Sequence, residues 1–189
     1  MIQGYVMTQV DTETIQRAQQ GDLEVLGALY EKYHLGIYRY LYYQVGDQQT
    51  AEDLTSEVFV RMLRFIAGFQ PPSATFQSWL FQIARNLAID HHRRMSRQDH
   101  LSLRESMSTA NDSLTATVER RLTQDTLRAA LSHLTGEQRD VILMRFVAGM
   151  PIADAARTLH KSEDAIKGLQ RRALVALRAI LTEWEVTHE

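Results

Sequence analysis

The chain has 189 residues, 44% of them apolar and 23% charged, and a formal net charge of −2, which is the composition of a soluble globular protein and not of a disordered or fibrous one. It has no cysteine, so disulfides, thiolate metal sites and a cysteine nucleophile are excluded. No apolar run approaches the length of a membrane span, and the first ten residues lack the basic and apolar run of a secretory leader, so a cytoplasmic protein is expected, starting at Met1 or Met7.

Only three prolines and nine glycines interrupt the chain, which favours long helices. A first helix is predicted over 12–20, stopped by Gly21. Asp22 caps a second helix over 23–45, where Leu26, Leu29, Tyr30, Tyr33, Ile37, Tyr40 and Leu41 recur at helical spacing. Gly46 ends it, and Asp47 or Thr50 starts a third helix with the stripe Leu54, Val58, Met62, Phe65 and Ile66. Pro71 and Pro72 break the chain. Ser73 or Thr75 caps a fourth helix carrying Phe76, Leu80, Ile83, Ala84 and Leu87, which ends in the basic cluster Arg93, Arg94 and Arg97.

Beyond Met95 the composition turns to Ser, Thr, Asn and Asp, the mark of a linker. A helix is predicted over 118–134. Thr135 and Gln138 have capping-box spacing and open a helix that runs to Ala148. Pro151 suits the first turn of a short helix ending near Leu159. His160 and Lys161 form a turn, and Ser162 caps a long final helix. The fold class is therefore all-α: a four-helix domain over 12–95, a flexible linker over 96–117 and a second helical domain over 118–185.

Charge is unevenly spread. Residues 1–60 are net −6, whereas residues 61–104 are net +5 and residues 157–178 net +4. Two basic segments in a neutral chain point to two contacts with a polyanion, although a basic run is more often only a solvated face. The second segment lies on a short helix, tight turn and basic helix, the grammar of a helix-turn-helix. In that motif the start of the second helix meets base edges. Ser162, Glu163, Asp164, Lys167, Gln170 and Arg171 stand there, and Arg and Gln can each make two hydrogen bonds to one base edge. Lys161, Arg172 and Arg178 suit phosphates. The bland alternative is a helical hairpin with a polar face.

The fourth helix mixes Trp79 and Phe81 with Arg85, Asn86, Asp90, His91, Arg93 and Arg94. Aromatic rings stack on unpaired bases while cations track a strand's phosphates, so this mixture suits separated strands. Trp79 could equally be core. Asp90-His91-His92 spells a triplet found in metal phosphoesterases. Here it ends an amphipathic helix and lacks strand-borne ligands, so no metal, cofactor or catalytic residue is expected. Asp53 and Glu57 beside an exposed-looking Phe59 and Arg61 form a mixed acidic and aromatic face, a candidate protein interface.

Taken together these stretches resemble the extracytoplasmic-function (ECF) sigma factors of bacterial RNA polymerase. Residues 51–61, Ala-Glu-Asp-Leu-Thr-Ser-Glu-Val-Phe-Val-Arg, resemble the segment of region 2 that grips the polymerase clamp. Residues 76–90 resemble the helix that melts and reads the −10 element. Residues 134–141, with Leu143 and Phe146, resemble the opening of region 4, and residues 162–178 resemble its −35 reading helix.

The resemblance implies a non-enzymatic subunit. Asp53, Glu57, Phe59 and Arg61 would face core polymerase, which region 2 and region 4 would meet at clamp and flap. Trp79, Arg85, Asn86, Asp90, His91, Arg93 and Arg94 would lie along the −10 DNA, and a loop between Phe69 and Thr75 would capture a flipped base. Lys161, Ser162, Glu163, Lys167, Gln170, Arg171 and Arg172 would face the −35 DNA. It also implies promoter DNA and an anti-sigma factor as partners, the latter able to hold the chain at a membrane without direct membrane insertion. Departures are Asp154-Ala155-Ala156, His160 in the turn, and Gly168-Leu169 where polar pairs are common. The rival readings are a plain helix-turn-helix regulator, a metal phosphoesterase and a helical adaptor.

Overall fold

The computed structural model describes residues 10–70, 75–101 and 126–187, with side chains described as far as residue 97 in the second stretch and residue 184 in the third. Every described element is helical. In the first group α1 spans Thr12–Gln19, α2 Leu23–Val45, α3 Gln48–Phe65 and α4 Phe76–Leu101, with a 3₁₀ turn at Ile66–Gly68. In the second group α5 covers 126–132, α6 Gly136–Ile142, α7 Ile152–Leu159 and α8 Glu163–Thr187.

Three aspartates start the first three helices by accepting from orphan backbone amides. Asp11 accepts from Thr14 N at 2.7 Å, Asp22 from Glu24 N and Val25 N, and Asp47 from Thr50 N at 2.7 Å. Those bonds, with the Arg17 guanidinium as the main cause at Asp22 and Thr50 at Asp47, hold all three carboxyls below the ordinary aspartate range. Gly46 ends α2 at φ 80°, a left-handed conformation open to glycine at little steric cost. Thr75 Oγ1 accepts from Ser78 N at 3.2 Å and so caps α4.

The fourth helix is longer than the sequence reading allowed. It continues through Leu101, across the expected start of the linker. No glycine or proline occurs between Phe76 and Leu101, and polar composition alone does not stop a helix. The remainder of the expected linker and the start of the predicted helix over 118–134 lie outside the described residues. So do Pro71, Pro72 and Ser73.

The capping box forms as expected, with Thr135 and Gln138 each bonding the other's backbone amide. Beyond it α6 does not run on as a plain helix. Leu143–Val147 widens into a π turn, closed by Ala148 N donating to Leu143 O at 2.9 Å. Pro151 stands one position before α7, as its cap residue and not inside its first turn. His160 takes the left-handed C-cap at φ 52° and Ser162 Oγ caps α8, accepting from Ala165 N at 3.2 Å. The helix-turn-helix is therefore formed by α7 and α8.

The first core packs Tyr33, Ile37 and Leu41 of α2 against Val58 and Met62 of α3 and Leu80, Phe81 and Ala84 of α4, all almost fully buried. The second packs Leu131, Val141, Leu143 and Met150 against Ala155 of α7 and Ile166 of α8. The two join, since α4 packs on α7 and α2 on the π turn.

Candidate nucleic-acid and polymerase interfaces

On α3 the caps and the apolar stripe turn one acidic edge outward. Asp53 is exposed and accepts from Gln49 Nε2 at 3.3 Å, while Glu57 and Arg61 form a 2.7 Å pair along the helix. Phe59 corrects the expectation of exposure. It is 6% exposed, and its ring meets Tyr30 edge-on at 4.7 Å, because position 59 follows Val58 into the α2–α3 seam. The residues that do present apolar surface are Val60, Leu63 and Phe65. Phe65 was expected in the buried stripe. It lies in the last turn of α3, beyond the seam, and is 55% exposed.

On α4 the aromatic and basic residues divide by burial. Phe81 is fully buried against Tyr40 at 5.6 Å. Trp79 is half-buried, its ring tilted against Phe69 at 5.0 Å and Phe76 at 5.7 Å, so one part of the indole is core and another reaches the surface. Asn86, Arg93 and Arg94 are exposed, and Asp90 lies 3.9 Å from Arg93. His91 is half-buried. Burial, then the charges of His92 and Arg94, push its pKa down, so the ring is neutral at neutral pH.

Arg85 is engaged within the chain. Its Nε donates to Asp140 Oδ2 at 2.7 Å, across from α4 to α6. Asp140 is itself buried, and its other oxygen accepts from the Tyr40 hydroxyl at 2.8 Å and Gln44 Nε2 at 2.6 Å. Burial works against the Arg85 charge, but the bond to Asp140 and its charge outweigh that, and the guanidinium pKa is raised. Burial and then the Asp140 charge keep Tyr40 protonated, as a donor. An open cleft of about 510 Å³ lies over this cluster, lined also by Ile89, His92 and Arg139.

Further bonds cross between the two helical groups. Arg128 Nη1 donates to Gly46 O at 2.7 Å, the Thr158 hydroxyl shares its one proton between Ser78 O at 3.2 Å and Asp154 O of its own helix at 2.9 Å, and Gln82 Nε2 lies 2.7 Å from His160 Nε2. Sequence reading treated Tyr40 only as core and gave Asp140 no role. The legible signal was a carboxylate on the side of α6 that also carries apolar residues, since Asp140 adjoins Val141 and precedes Leu143 and Met144.

On α8 the inward residues are Ile166, Leu169 and Ala173, and the outward ones include Ser162, Glu163, Lys167, Arg171 and Arg172. Lys167 pairs with Asp164 at 3.0 Å, whose bond and charge raise its pKa. Lys161 reaches back to Glu137 at 2.9 Å. Gln170 is half-buried and accepts from Arg145 Nε at 3.3 Å. With Lys167 held by Asp164, Arg171 and Arg172 are the exposed arginines of this first half of α8, a geometry suited to phosphates and guanine edges.

Comparison with known proteins places these helices. Residues 29–98 match Sigma-70 region 2, and residues 130–179 match Sigma-70 region 4. The chain is 39% identical over 177 residues to the ECF RNA polymerase sigma factor BldN of Streptomyces coelicolor, covering 90% of this chain and 66% of that one. It is 35% identical over 166 residues to the ECF RNA polymerase sigma factor SigX of Bacillus subtilis, covering 82% of each. Among solved structures, the sigma factor RpoE in complex with the anti-sigma factor NepR from Bartonella quintana shares the fold, with a TM-score of 0.62 at 23% identity over 88% of this chain and 98% of that one. With both sigma regions matched in order and a relative at 35% identity over most of its length, this chain belongs to the ECF RNA polymerase sigma factors.

Proposed function

We propose that the chain acts in the cytoplasm as an alternative sigma factor whose α3 face, with Asp53, Glu57 and Arg61, binds the polymerase clamp. In this reading α4 melts and reads the −10 element, and α8 reads the −35 element. The observation that carries the reading is the α7–α8 helix-turn-helix, whose left-handed turn at His160 presents Arg171 and Arg172 outward over a buried Ile166–Leu169–Ala173 stripe. On α4, stacking against the exposed part of Trp79 and attraction to Arg93 and Arg94 would favour unpaired non-template bases over the closed duplex. Phe59 serves the clamp face from behind, holding α3 on α2. Each DNA contact is weak alone. Polymerase would fix their separation, so that the second contact forms at high effective concentration. An anti-sigma factor, the class of partner named for the Bartonella protein, fits as the regulator of the free chain.

Run-off transcription with bacterial core polymerase tests the reading. Added chain should produce discrete new start sites on promoter fragments from its source genome, and Arg171→Ala should abolish those that depend on a −35 element. Absence of transcripts and of co-purifying core would overturn it.

A further inference from the structure

We propose that Asp140 is an internal competitor for promoter DNA. Its buried carboxylate occupies the Arg85 guanidinium and, with it, locks region 4 against region 2 in a closed chain that binds DNA poorly. The inference rests on the sigma-factor reading of α4.

Arg85 lies on the helix assigned to the −10 strand, with exposed Asn86 next to it. A guanidinium takes a carboxylate or a phosphate through the same charge-assisted geometry. Asp140 satisfies that geometry at 2.7 Å, from a position 55 residues away in sequence. The carboxylate is not a stray surface partner. Its side chain is 7% exposed, and Tyr40 and Gln44, both of region 2, complete its shell. A region 4 acid is thus held by three region 2 donors. A phosphate that takes the Arg85 Nε–H must displace Asp140, and Asp140, buried on α6, withdraws with that helix.

Geometry gives the same result from the other end of the molecule. Elements centred near −10 and −35 lie about 25 base pairs apart, roughly 85 Å at 3.4 Å per base pair. A compact chain of 189 residues has a radius of gyration of about 16 Å. The closed chain, with Thr158 bonded to Ser78 and His160 beside Gln82, cannot span both elements. The same separation of α4 from α6 and α7 that lets region 4 reach a −35 element exposes Arg85 for the −10 strand. One movement therefore serves both contacts, and core polymerase, by binding the two regions apart, would supply it.

The test uses the full chain in two arms. In the first, Asp140→Asn removes the charge and keeps the shape. Anisotropy with a labelled mixed-sequence single-stranded DNA of about 15 nucleotides reads sequence-independent affinity. Apparent affinity scales with the open fraction, so a wild type closed about nine-tenths of the time should gain about tenfold on opening. In the second arm, Gln82→Cys and His160→Cys are joined by a short bismaleimide cleavable by reductant. The chain has no other cysteine, so the link is unique. The linked chain should lose DNA binding and core-dependent run-off transcription, and both should return on cleavage. If Asp140→Asn stays folded by circular dichroism and binds no tighter, the competitor role falls. If that variant does not fold, the link decides: a linked chain that binds and transcribes like the cleaved one overturns the closed state. A cleaved chain that binds DNA normally yet yields no transcript with core overturns the sigma-factor reading, while its binding data still decide the lock.

Discussion

Phe59 shows how one residue's role depends on which way it faces. Its place between acidic residues and Arg61 suggested an interface, but its ring is buried and set edge-on to Tyr30. Phe59→Ala should therefore cost stability, about 3–5 kcal/mol for an aromatic lost from a packed core. Asp53→Ala, at an exposed carboxylate, should stay within about 0.5 kcal/mol of the parent while weakening retention on core polymerase. Chemical denaturation and co-purification with core check the pair. A stable Phe59→Ala chain that has lost core binding would return the ring to the interface.

At the scale of elements, the helices are set by their ends. Asp22 opens α2 and Gly46 closes it, so 23 residues form one helix without an internal breaker. Gly27 and Gly36 are the exceptions in composition, and of the two Gly36 is buried. Gly27 is exposed, and a Cβ there would meet nothing within 4 Å. Gly27→Ala should stabilise the chain by about 1 kcal/mol, because alanine loses less backbone freedom on folding. Gly46→Ala should act in the opposite direction by roughly 1–2 kcal/mol, since φ 80° drives a Cβ toward the carbonyl oxygen. Thermal melts of the two variants should move to opposite sides of the parent, with the first up by about 2–4 °C. The same end-based logic explains α4, which ran past Met95 because nothing in its sequence stops it.

For the whole molecule, the notable feature is that two sigma regions share a core. Apolar packing between α4 and α7 is joined by the Arg128–Gly46 and Thr158–Ser78 bonds. Each bond contributes about 1 kcal/mol net, while the coupling they reinforce makes the halves melt together. Scanning calorimetry of the parent should show one cooperative endotherm. The double variant Arg128→Ala/Thr158→Val should broaden it or split it in two. An unchanged single endotherm would assign the coupling to the apolar seam alone.

The sequence by itself determined the all-α class, the caps that start most of the described helices, the helix-turn-helix and the family, but not where α4 ends or where α6 gives way to a π turn. The former follow from short-range rules: a period of 3.6 residues, an oxygen two or three residues from an orphan amide, a left-handed residue at a helix end. His160 was legible in this way, as a non-glycine residue able to take the turn. Only the tertiary structure decided that Phe59 turns inward, that Leu63 and Phe65 turn outward, and that Arg85 is held by Asp140. Those outcomes depend on which helices meet. Helical periodicity places a side chain on a face of its own helix, but the partner opposite that face comes from a distant part of the chain.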